Sequence, residues 1–381
     1  MIRMLSAGES HGKVLVAIVE GLPAGISVDI DFINNELSRR QKGYGRGSRM
    51  KIEKDKIKII SGVRNGETIG PPIAFFIENL DYEKWKPTMS VTNLSENVKA
   101  VKIPRPGHTD LSGVLKYNRS DIRDILERSS ARETAFRVAA GGFFKLFLRY
   151  FVIKIYSHTI SIGNISAEKK VISLQEAEKS PLRCLDPEAE KRMISLINEV
   201  KEEGDSIGGV SEIVAENIPV GLGSHISYDK RLDAKIGKAM LSIPSVKGVE
   251  IGPAFENTKL KGSQVHDEIF YSQQKGFFRK TNRAGGVEGG ISNGENLIVR
   301  IAIKPIPTLM KPLNSVNIET KRQEKAHVER SDTCIVPAAG VIGEAMMAFV
   351  LSDLIVEKFG GDNISDIKLN FENYRRRLRN G

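Results

Sequence analysis

The sequence predicts an α+β fold in which helical layers pack against antiparallel or mixed β-sheets. Predicted strands tend to follow one another in pairs along the chain, with helices between the pairs, and this order favours antiparallel or mixed sheets. The chain has 381 residues, of which 40% are hydrophobic, which is enough for a large core. Its length would allow two or three domains. Because no linker rich in proline, glycine or serine divides the chain, we predict one large domain over 1–381.

Hydrophobic patterning predicts strands and helices in turn through the N-terminal half. Asp29 or Asp31 is suited to cap the first helix, and the Asn65-Gly66 pair predicts a turn between two strands. The strands of this half are predicted at 14–20, 58–63, 73–78 and 152–162. The helices are predicted at 32–40, 121–128 and 131–150, and the glycines in the middle of the last indicate close packing or a break.

The C-terminal half is predicted to alternate in the same way and to end in a basic tail. Strands are predicted at 209–218, 246–251 and 297–304, and helices at 187–202, 231–241 and 338–359. Two segments of the N-terminal half lack such patterning and are predicted loops. The first, at 41–50, contains arginine and glycine that indicate a mobile flap, and the second lies at 103–110. The tail is predicted at 372–381.

Charge and cysteine content limit the partners and the compartment. The formal net charge of +10 favours anionic partners, which include nucleic acid, a membrane surface and an acidic metabolite. The two cysteines are far apart in sequence, so neither a disulfide framework nor a structural zinc site is expected. The first twelve residues do not resemble a signal peptide. The richest apolar stretch, at 135–152, is interrupted by three charges, and we expect a soluble, cytoplasmic protein without a metal.

Two short loops combine glycine with histidine. His11 lies between Ser10 and Gly12, and His108 follows Arg105-Pro106-Gly107. Histidine is suited to proton transfer near neutral pH, and two such loops among only six histidines suggest a pair of acid and base groups. Taken singly, each histidine is explained equally well as a surface residue in a turn.

Arginine-rich segments form the second feature. Arg39-Arg40 and the segment 43–49 place guanidinium groups among glycines, an arrangement suited to phosphate and carboxylate. A solvated loop or a nucleic-acid patch is the alternative, but Tyr44 is the only aromatic residue there to stack on a base. In the segment 128–133, Ser129 or Ser130 can cap a helix, and the same helix start can hold an anion.

The C-terminal half adds glycines at 285–290, the segment 304–308 and the segment 330–332. The glycines do not form the GxGxxG fingerprint of a dinucleotide-binding fold, and the sequence has no Walker A motif. Together, these features predict an enzyme that holds a polyanionic, phosphate-bearing small molecule on arginine and histidine loops.

Eight segments together resemble the signatures of the chorismate synthase family, in the family's order. They lie at 8–12, 43–50, 105–110, 128–133, 204–209, 282–294, 304–308 and 330–337. The resemblance implies helices between antiparallel sheets, and a lyase that converts 5-enolpyruvylshikimate 3-phosphate to chorismate and phosphate by anti-1,4 elimination. This is the seventh and last step of the shikimate pathway to chorismate. The resemblance also implies reduced FMN with no net redox change, a homotetramer, and NADPH only if the enzyme reduces its own flavin.

The resemblance also implies roles for individual residues. His11, with Ser10, would protonate the departing phosphate, His108 would protonate reduced flavin near N1, and Asp332 and Ser129 would relay a proton from N5. Substrate would be held by Arg40, Arg46, Arg49, Arg105 and Arg132, of which Arg40 and Arg46 would also meet NADP. FMN would be held by Arg128, Ser129, Ser130, Pro244, Ser245, Gly289, Lys304, Pro305, Ile306, Pro307, Thr308 and Arg330. The alternatives are another FMN-dependent oxidoreductase, or a nucleic-acid-binding protein that uses the arginines at 375–379.

Overall fold

The computed structural model describes residues 1–47, 49–168, 174–274, 276–329 and 331–380. The strands β1 to β17 cover Arg3–Ala7, Val14–Glu20, Ile57–Ile59, Val63–Arg64, Glu67–Thr68, Ile73–Glu78, Lys154–Ile162, Ile165–Ser166, Gly209–Glu216, Val246–Ile251, Ile269–Ser272, Gly276–Arg279, Val287–Glu288, Ile291–Ser292, Leu297–Ile303, Asn314–Val316 and Gln323–Lys325. The helices α1 to α12 cover Ile30–Gln41, Arg49–Ile52, Tyr82–Trp85, Asp110–Tyr117, Arg123–Ser129, Thr134–Arg149, Pro187–Glu202, Leu232–Leu241, Ala254–Asn257, Gly262–Val265, Val336–Phe359 and Ile364–Asn380. Short 3₁₀ turns cover Ala131–Glu133, Leu174–Lys179 and Tyr228–Lys230.

Two antiparallel sheets enclose a layer of helices. The first sheet has the order β1-β2-β6-β3, and the second has the order β10-β15-β9-β7-β8. Helix α6 packs on β2 and β6 of the first sheet, whereas α11 packs on β7 and β9 of the second. The two helices also pack on each other and on α1. The predicted α+β fold with helices between sheets is therefore confirmed, and the strand pairs that build both sheets are antiparallel.

Close contact between α6 and α11 explains a glycine in the middle of α6. A β-carbon added to Gly141 would lie 2.3 Å from the β-carbon of Ala345 on α11, which is far inside van der Waals contact. Near this crossing the buried ring of Phe144 packs on Phe349 of α11, with ring centroids 5.5 Å apart. Close packing, and not a break, is therefore the outcome at this position, and α6 runs without interruption.

Helix α11 is long and apolar enough to cross a membrane by length and composition, with a mean hydropathy of 1.8 in one window. However, 83% of that window is buried inside the fold, as expected for the central helix of a core. The sequence analysis named 135–152 as the richest apolar stretch, and that stretch lies largely in α6, a helix of 16 residues. This was wrong, because the apolar helix long enough to cross a membrane is α11.

Several element boundaries differ from the prediction. The strand predicted at 58–63 is divided: β3 pairs with β6 as far as Ile59, and Gly62, with a φ of +81°, lies between β3 and β4. The turn at Asn65-Gly66 is confirmed, with φ values of 51° and 75°, but it joins the short strands β4 and β5. Asp29 is the residue that caps α1, since its carboxylate accepts a hydrogen bond of 2.9 Å from the backbone of Phe32.

Among the elements that were not predicted from the sequence are the edge strand β1 and the helices α4 and α12. The segment predicted as a basic tail continues α12 as far as Asn380. This helix packs through Phe371, whose ring lies 5.0 Å from Phe151 and 5.2 Å from Phe359. The loop predicted at 41–50 ends in the short helix α2, which begins at Arg49, and Ser48 lies outside the described residues.

Candidate active site

A cavity of about 610 Å³ gathers most of the predicted site residues. It lies where segments from both halves of the chain meet, and its size is typical of a small-molecule site. The predicted residues that line it are Ser10, His11, Arg40, Arg46, Arg49, Arg105, His108, Ser129, Ser130, Arg132, Pro244, Ser245, Lys304, Ile306, Pro307, Thr308 and Asp332. Residues separated by up to about three hundred positions in sequence are thus brought to one site.

Three residues predicted to hold FMN do not line this cavity. The exposed guanidinium of Arg128 donates hydrogen bonds to the hydroxyl of Ser6 at 2.7 Å and to the carbonyl of Gly8 at 3.2 Å. Gly289 lies in the tight turn between β13 and β14, with a φ of +58°. Pro305 lies between two lining residues without contributing to the lining. Arg330 lies outside the described residues.

The loop of His11 is attached to helix α5. Nδ1 of His11 lies 3.0 Å from both carboxylate oxygens of Glu127, and the backbone N–H of His11 donates to the same carboxylate at 2.8 Å. The imidazole stacks on Trp85, with ring centroids 3.9 Å apart. Burial acts to raise the pKa of Glu127, but the hydrogen bonds from His11 and the charge of Arg123 outweigh burial and lower it. Glu127 is therefore an ionised partner of His11.

Ser10, the neighbour of His11, is held from two sides. Its hydroxyl accepts a hydrogen bond of 2.6 Å from Arg49 and donates one of 3.1 Å to Ser130. Ser130 caps the following 3₁₀ turn, since its hydroxyl accepts from the backbone of Arg132, whereas Ser129 donates to the carbonyl of Ile125. The capping residue predicted as Ser129 or Ser130 is therefore Ser130.

His108 has a carboxylate partner of its own. Its Nδ1 lies 2.5 Å from Asp110, whose other oxygen accepts a hydrogen bond of 2.9 Å from Arg105. Arg105 also donates to the hydroxyl of Thr308 at 2.8 Å, and Lys304 donates to the carbonyl of Gly107 at 2.5 Å. Burial acts to raise the pKa of Asp110, but the hydrogen bonds from His108 and Arg105 lower it well below its usual range.

Arg40 and Arg132 share one buried carboxylate, Asp55. Arg40 donates to Asp55 at 2.6 Å, and Arg132 donates to its two oxygens at 2.6 and 2.8 Å. Burial lowers the pKa of Arg40 to about 10 against the attraction of Asp55, and the nearby charges of Arg132 and Arg46 act in the same direction. The buried Glu53 also lies 3.7 Å from Arg132 and 3.4 Å from Arg49, so three guanidinium groups share these two carboxylates and the group as a whole stays positive.

Arg46 and Arg49 approach the cavity from the arginine and glycine loop. Arg46 forms an ion pair of 3.1 Å with Asp332, which also accepts a hydrogen bond of 2.5 Å from the backbone of Gly47. Burial and the charge of Arg132 lower the pKa of Arg49. The Nε atoms of Arg40, Arg46 and Arg49 are buried without a hydrogen-bond partner in the described part of the chain, so each arginine retains a free donor.

Arg39 points away from the cavity. It forms a buried ion-pair network with Glu36 and Glu344, at 2.8 Å from each, in the helix layer. Lys145 donates to the same Glu344 at 2.6 Å. Arg39 and Arg40 are adjacent in the sequence, but Arg39 belongs to a buried ion-pair network in the helix layer and Arg40 lines the cavity.

Sequence reasoning missed several lining residues and the acidic partners other than Asp332. Trp85 and Arg123 line the cavity, as does Glu329, which lies 3.6 Å from Arg105 and 3.7 Å from Arg123. Burial acts to raise the pKa of Glu329, but the hydrogen bond from His327 and the charge of Arg105 lower it to about 2. The spacing of Arg123 and Glu127, four residues apart on one helix, is a signal for an ion pair but contains no sign of the contact with His11.

The arrangement is suited to binding a polyanion and to moving protons on it. The arginines supply charge-assisted hydrogen bonds to phosphate and carboxylate groups. Each of the two histidines has a carboxylate at Nδ1, which directs its proton transfer to Nε2, and Nε2 of His108 also lies 3.5 Å from the guanidinium of Arg105.

Comparisons with known proteins agree on one family. The family model described as chorismate synthase matches residues 2–356. A chorismate synthase of Alkaliphilus metalliredigens is 54% identical over 377 residues, covering 98% of this chain and 99% of the relative. One of Aquifex aeolicus is 54% identical over 386 residues, covering 98% and 97%. A crystal structure of chorismate synthase matches with a TM-score of 0.81 and 44% identity, covering 100% of this chain and 99% of the solved one. The chain therefore belongs to the chorismate synthase family and is a carbon–oxygen lyase.

Proposed function

We propose that the cavity catalyses the anti-1,4 elimination of phosphate from 5-enolpyruvylshikimate 3-phosphate, which gives chorismate and phosphate. The observation that carries this proposal is the meeting of five arginines and two histidine–carboxylate pairs in one cavity of about 610 Å³. The substrate has two carboxylates and one phosphate, and buried anions require paired cations. The chain belongs to the chorismate synthase family, and the charges of this family's substrate fit the cations of the cavity.

The proposed substrate ligands are Arg40, Arg46, Arg49, Arg105 and Arg132. Three of them retain a buried Nε donor without a partner in the described residues, and Asp55 neutralises only part of the charge of Arg40 and Arg132. This excess of donors and of positive charge supports the binding of an anion at these side chains.

Reduced FMN fits the remaining lining. Ser129, Ser130, Pro244, Ser245 and the lining residues at 304–308 offer hydroxyls, an ammonium group and an apolar wall suited to a flavin and its phosphate. Reduced FMN, when bound, supplies electron density that assists the loss of phosphate, and it is unchanged overall. Arg128, Gly289 and Pro305 lie outside the lining, so their proposed contacts with FMN are the least supported by this geometry.

The proton steps are assigned to the two histidines. His11 donates a proton from Nε2 to the phosphate oxygen as the C–O bond breaks, and Ser10 orients that oxygen. His108 would hold a proton for a bound reduced flavin, on its N1 side, as the family resemblance implies. For Asp332 and Ser129 to relay a proton, the Ser129 hydroxyl has to rotate away from the carbonyl of Ile125, which it contacts at 2.8 Å.

A homotetramer, a soluble cytoplasmic location and, if the enzyme reduces its own flavin, an NADPH contact at Arg40 and Arg46 are proposed from the family resemblance. Arg40 is only 3% exposed, so a contact with NADPH would have to form inside the cavity. Membership of the lyase family does not favour the oxidoreductase and nucleic-acid alternatives.

An anaerobic assay tests the proposal. The protein is mixed with dithionite-reduced FMN and 5-enolpyruvylshikimate 3-phosphate, and chorismate is followed by absorbance. We expect product with catalytic amounts of reduced FMN, whereas a reductase would consume NAD(P)H stoichiometrically. The absence of chorismate under these conditions would overturn the proposal.

A further inference from the structure

We propose that Glu127, Arg123 and Trp85 are positioning residues that fix the imidazole of His11 so that only Nε2 exchanges protons in the cavity. We call these three residues the His11 clamp. The inference rests on the proposed function, in which His11 protonates the departing phosphate.

Glu127 holds the His11 loop through both its backbone and its side chain. Its carbonyl accepts a hydrogen bond of 2.9 Å from the backbone of Ser10, and its carboxylate accepts one of 2.8 Å from the backbone of His11. The same carboxylate lies 3.0 Å from Nδ1 of His11, and its side chain is 2% exposed. The position and the orientation of the imidazole are thus set by one residue of α5.

The chemistry of this contact determines which nitrogen exchanges the proton. Glu127 is an ionised acceptor, so Nδ1 of His11 has to carry hydrogen in both the neutral and the protonated ring. The neutral ring then has a lone pair on Nε2, and the protonated ring has its acidic proton there. When that proton passes to the phosphate oxygen, the C–O electron pair leaves with phosphate, and His11 remains as the Nδ1–H tautomer.

Trp85 and Arg123 complete the clamp. The imidazole of His11 lies 3.9 Å from the Trp85 ring at an interplanar angle of 22°, so rotation of the imidazole out of this plane would break the stack. The guanidinium of Arg123 lies 5.0 Å from the Trp85 ring and donates to Glu127 at 2.8 Å. Arg123 therefore contacts both residues that touch the imidazole, and the three side chains support one another.

The first test reads the tautomer of His11 without using activity. The protein is labelled with [¹⁵N]histidine, which gives signals from six residues, and His11 is assigned by the signal lost in His11→Asn. At a pH where the ring is neutral, solid-state ¹⁵N NMR is expected to show hydrogen on Nδ1. Hydrogen on Nε2 in the wild-type protein would overturn the proposal, even if the enzyme produced chorismate.

The second test measures turnover in clamp variants under the anaerobic conditions. Glu127→Gln is expected to lower kcat on the order of 10–100-fold, as for other residues that orient functional histidines, with KM changed less than about twofold. Trp85→Phe, which keeps a ring to stack on, is expected to retain more kcat than Trp85→Ala. The control is Asp124→Asn, on the same helix, which removes an exposed ion pair of 2.6 Å with Arg119.

The outcomes separate a failed clamp from a failed function. Unchanged kcat in folded Glu127→Gln, or equal loss in Trp85→Phe and Trp85→Ala, would overturn the clamp while leaving the lyase reaction intact. If wild-type protein makes no chorismate, the proposed function fails, and the NMR result still decides which nitrogen carries hydrogen. Should Glu127→Gln not fold, the wild-type spectrum and the Trp85 pair still test the inference.

Discussion

Replacing Asp55 by asparagine tests whether the cavity arginines depend on an internal carboxylate. Asp55 is 5% exposed and lies at 2.6 Å from both Arg40 and Arg132, which are also buried. Asparagine keeps the shape and one acceptor but removes the charge, so two buried guanidinium groups lose their shared counterion. Removing one partner of a buried ion pair costs about 3–5 kcal/mol of unfolding free energy.

This loss converts to a measurable change in Tm. An unfolding entropy of about 2.1 cal/mol/K per residue gives roughly 0.8 kcal/mol/K for a chain of this length. A loss of about 3–5 kcal/mol therefore lowers Tm by roughly 4–6 °C, as measured by calorimetry or circular dichroism. Asp362→Asn is the control, because its side chain is exposed. A loss below about 1 kcal/mol for Asp55→Asn would refute the reasoning.

The stability that Asp55 contributes should also depend on pH in a definite direction. Burial acts to raise the pKa of Asp55, but the charges of Arg40 and Arg132 outweigh burial and lower it. Stability from ionised Asp55 is therefore fully present above its unfolded pKa of about 3.9, and it is lost as pH falls through the lower native pKa. The difference in Tm between wild type and Asp55→Asn should stay constant from about pH 7 to 5 and narrow below about pH 4. A difference that grows in acid would contradict this assignment.

Three further predictions concern catalysis, binding and packing. His108→Ala should lower the rate constant of a single turnover with pre-reduced FMN by about 10²–10⁴-fold. A wild-type rate constant would show that His108 is no acid or base. Glu329→Gln should lower KM for the phosphorylated substrate by roughly 2–5-fold, because Glu329 competes with the substrate for Arg105 through a partly exposed ion pair. A higher KM would mean that Glu329 instead holds Arg105 in place. Gly141→Ala should destabilise the fold by about 1–3 kcal/mol in denaturant unfolding, whereas Gly237→Ala, whose β-carbon meets nothing within 4 Å, should stabilise it by roughly 0.5–1 kcal/mol. Equal effects of the two glycine changes would refute the packing argument.

The regular elements of the core could be predicted because their apolar patterns are strong. The bounds of helix α7 at Pro187–Glu202 and of strand β10 at Val246–Ile251 agree with the prediction, since proline, glycine and capping residues mark their ends. Strand β1 at Arg3–Ala7 was missed because it is an edge strand without a fully buried residue. Helix α12 was missed although Ile364, Ile367 and Phe371 form a helical stripe, because its arginines dominated the composition.

The site was predicted in its cations, but Asp332 was the one carboxylate of the site to which the sequence analysis gave a role. A search for anion ligands selects arginine and histidine, and most of those selected line the cavity. Asp110 is a local partner, two residues from His108, but other partners come from distant segments: Asp55 lies 77 residues from Arg132, and Glu127 lies 116 residues from His11. Local spacing in the sequence cannot predict such distant pairs, because the two members of each pair come together only when α5 and α6 pack against the N-terminal sheet and its loops.

The internal carboxylates explain how one cavity can hold so many arginines before any ligand binds. Unpaired buried cations would cost too much free energy, and fully paired ones would have no affinity left for an anion. Asp55 and Glu53 stand between these limits, because these two carboxylates serve Arg40, Arg49 and Arg132 and leave a positive charge for the ligand. The same compromise applies to proton transfer, since Glu127 and Asp110 each occupy one nitrogen of a histidine and leave its other nitrogen to the reaction. Binding and catalysis in this cavity therefore depend on acidic residues that themselves need not touch the substrate.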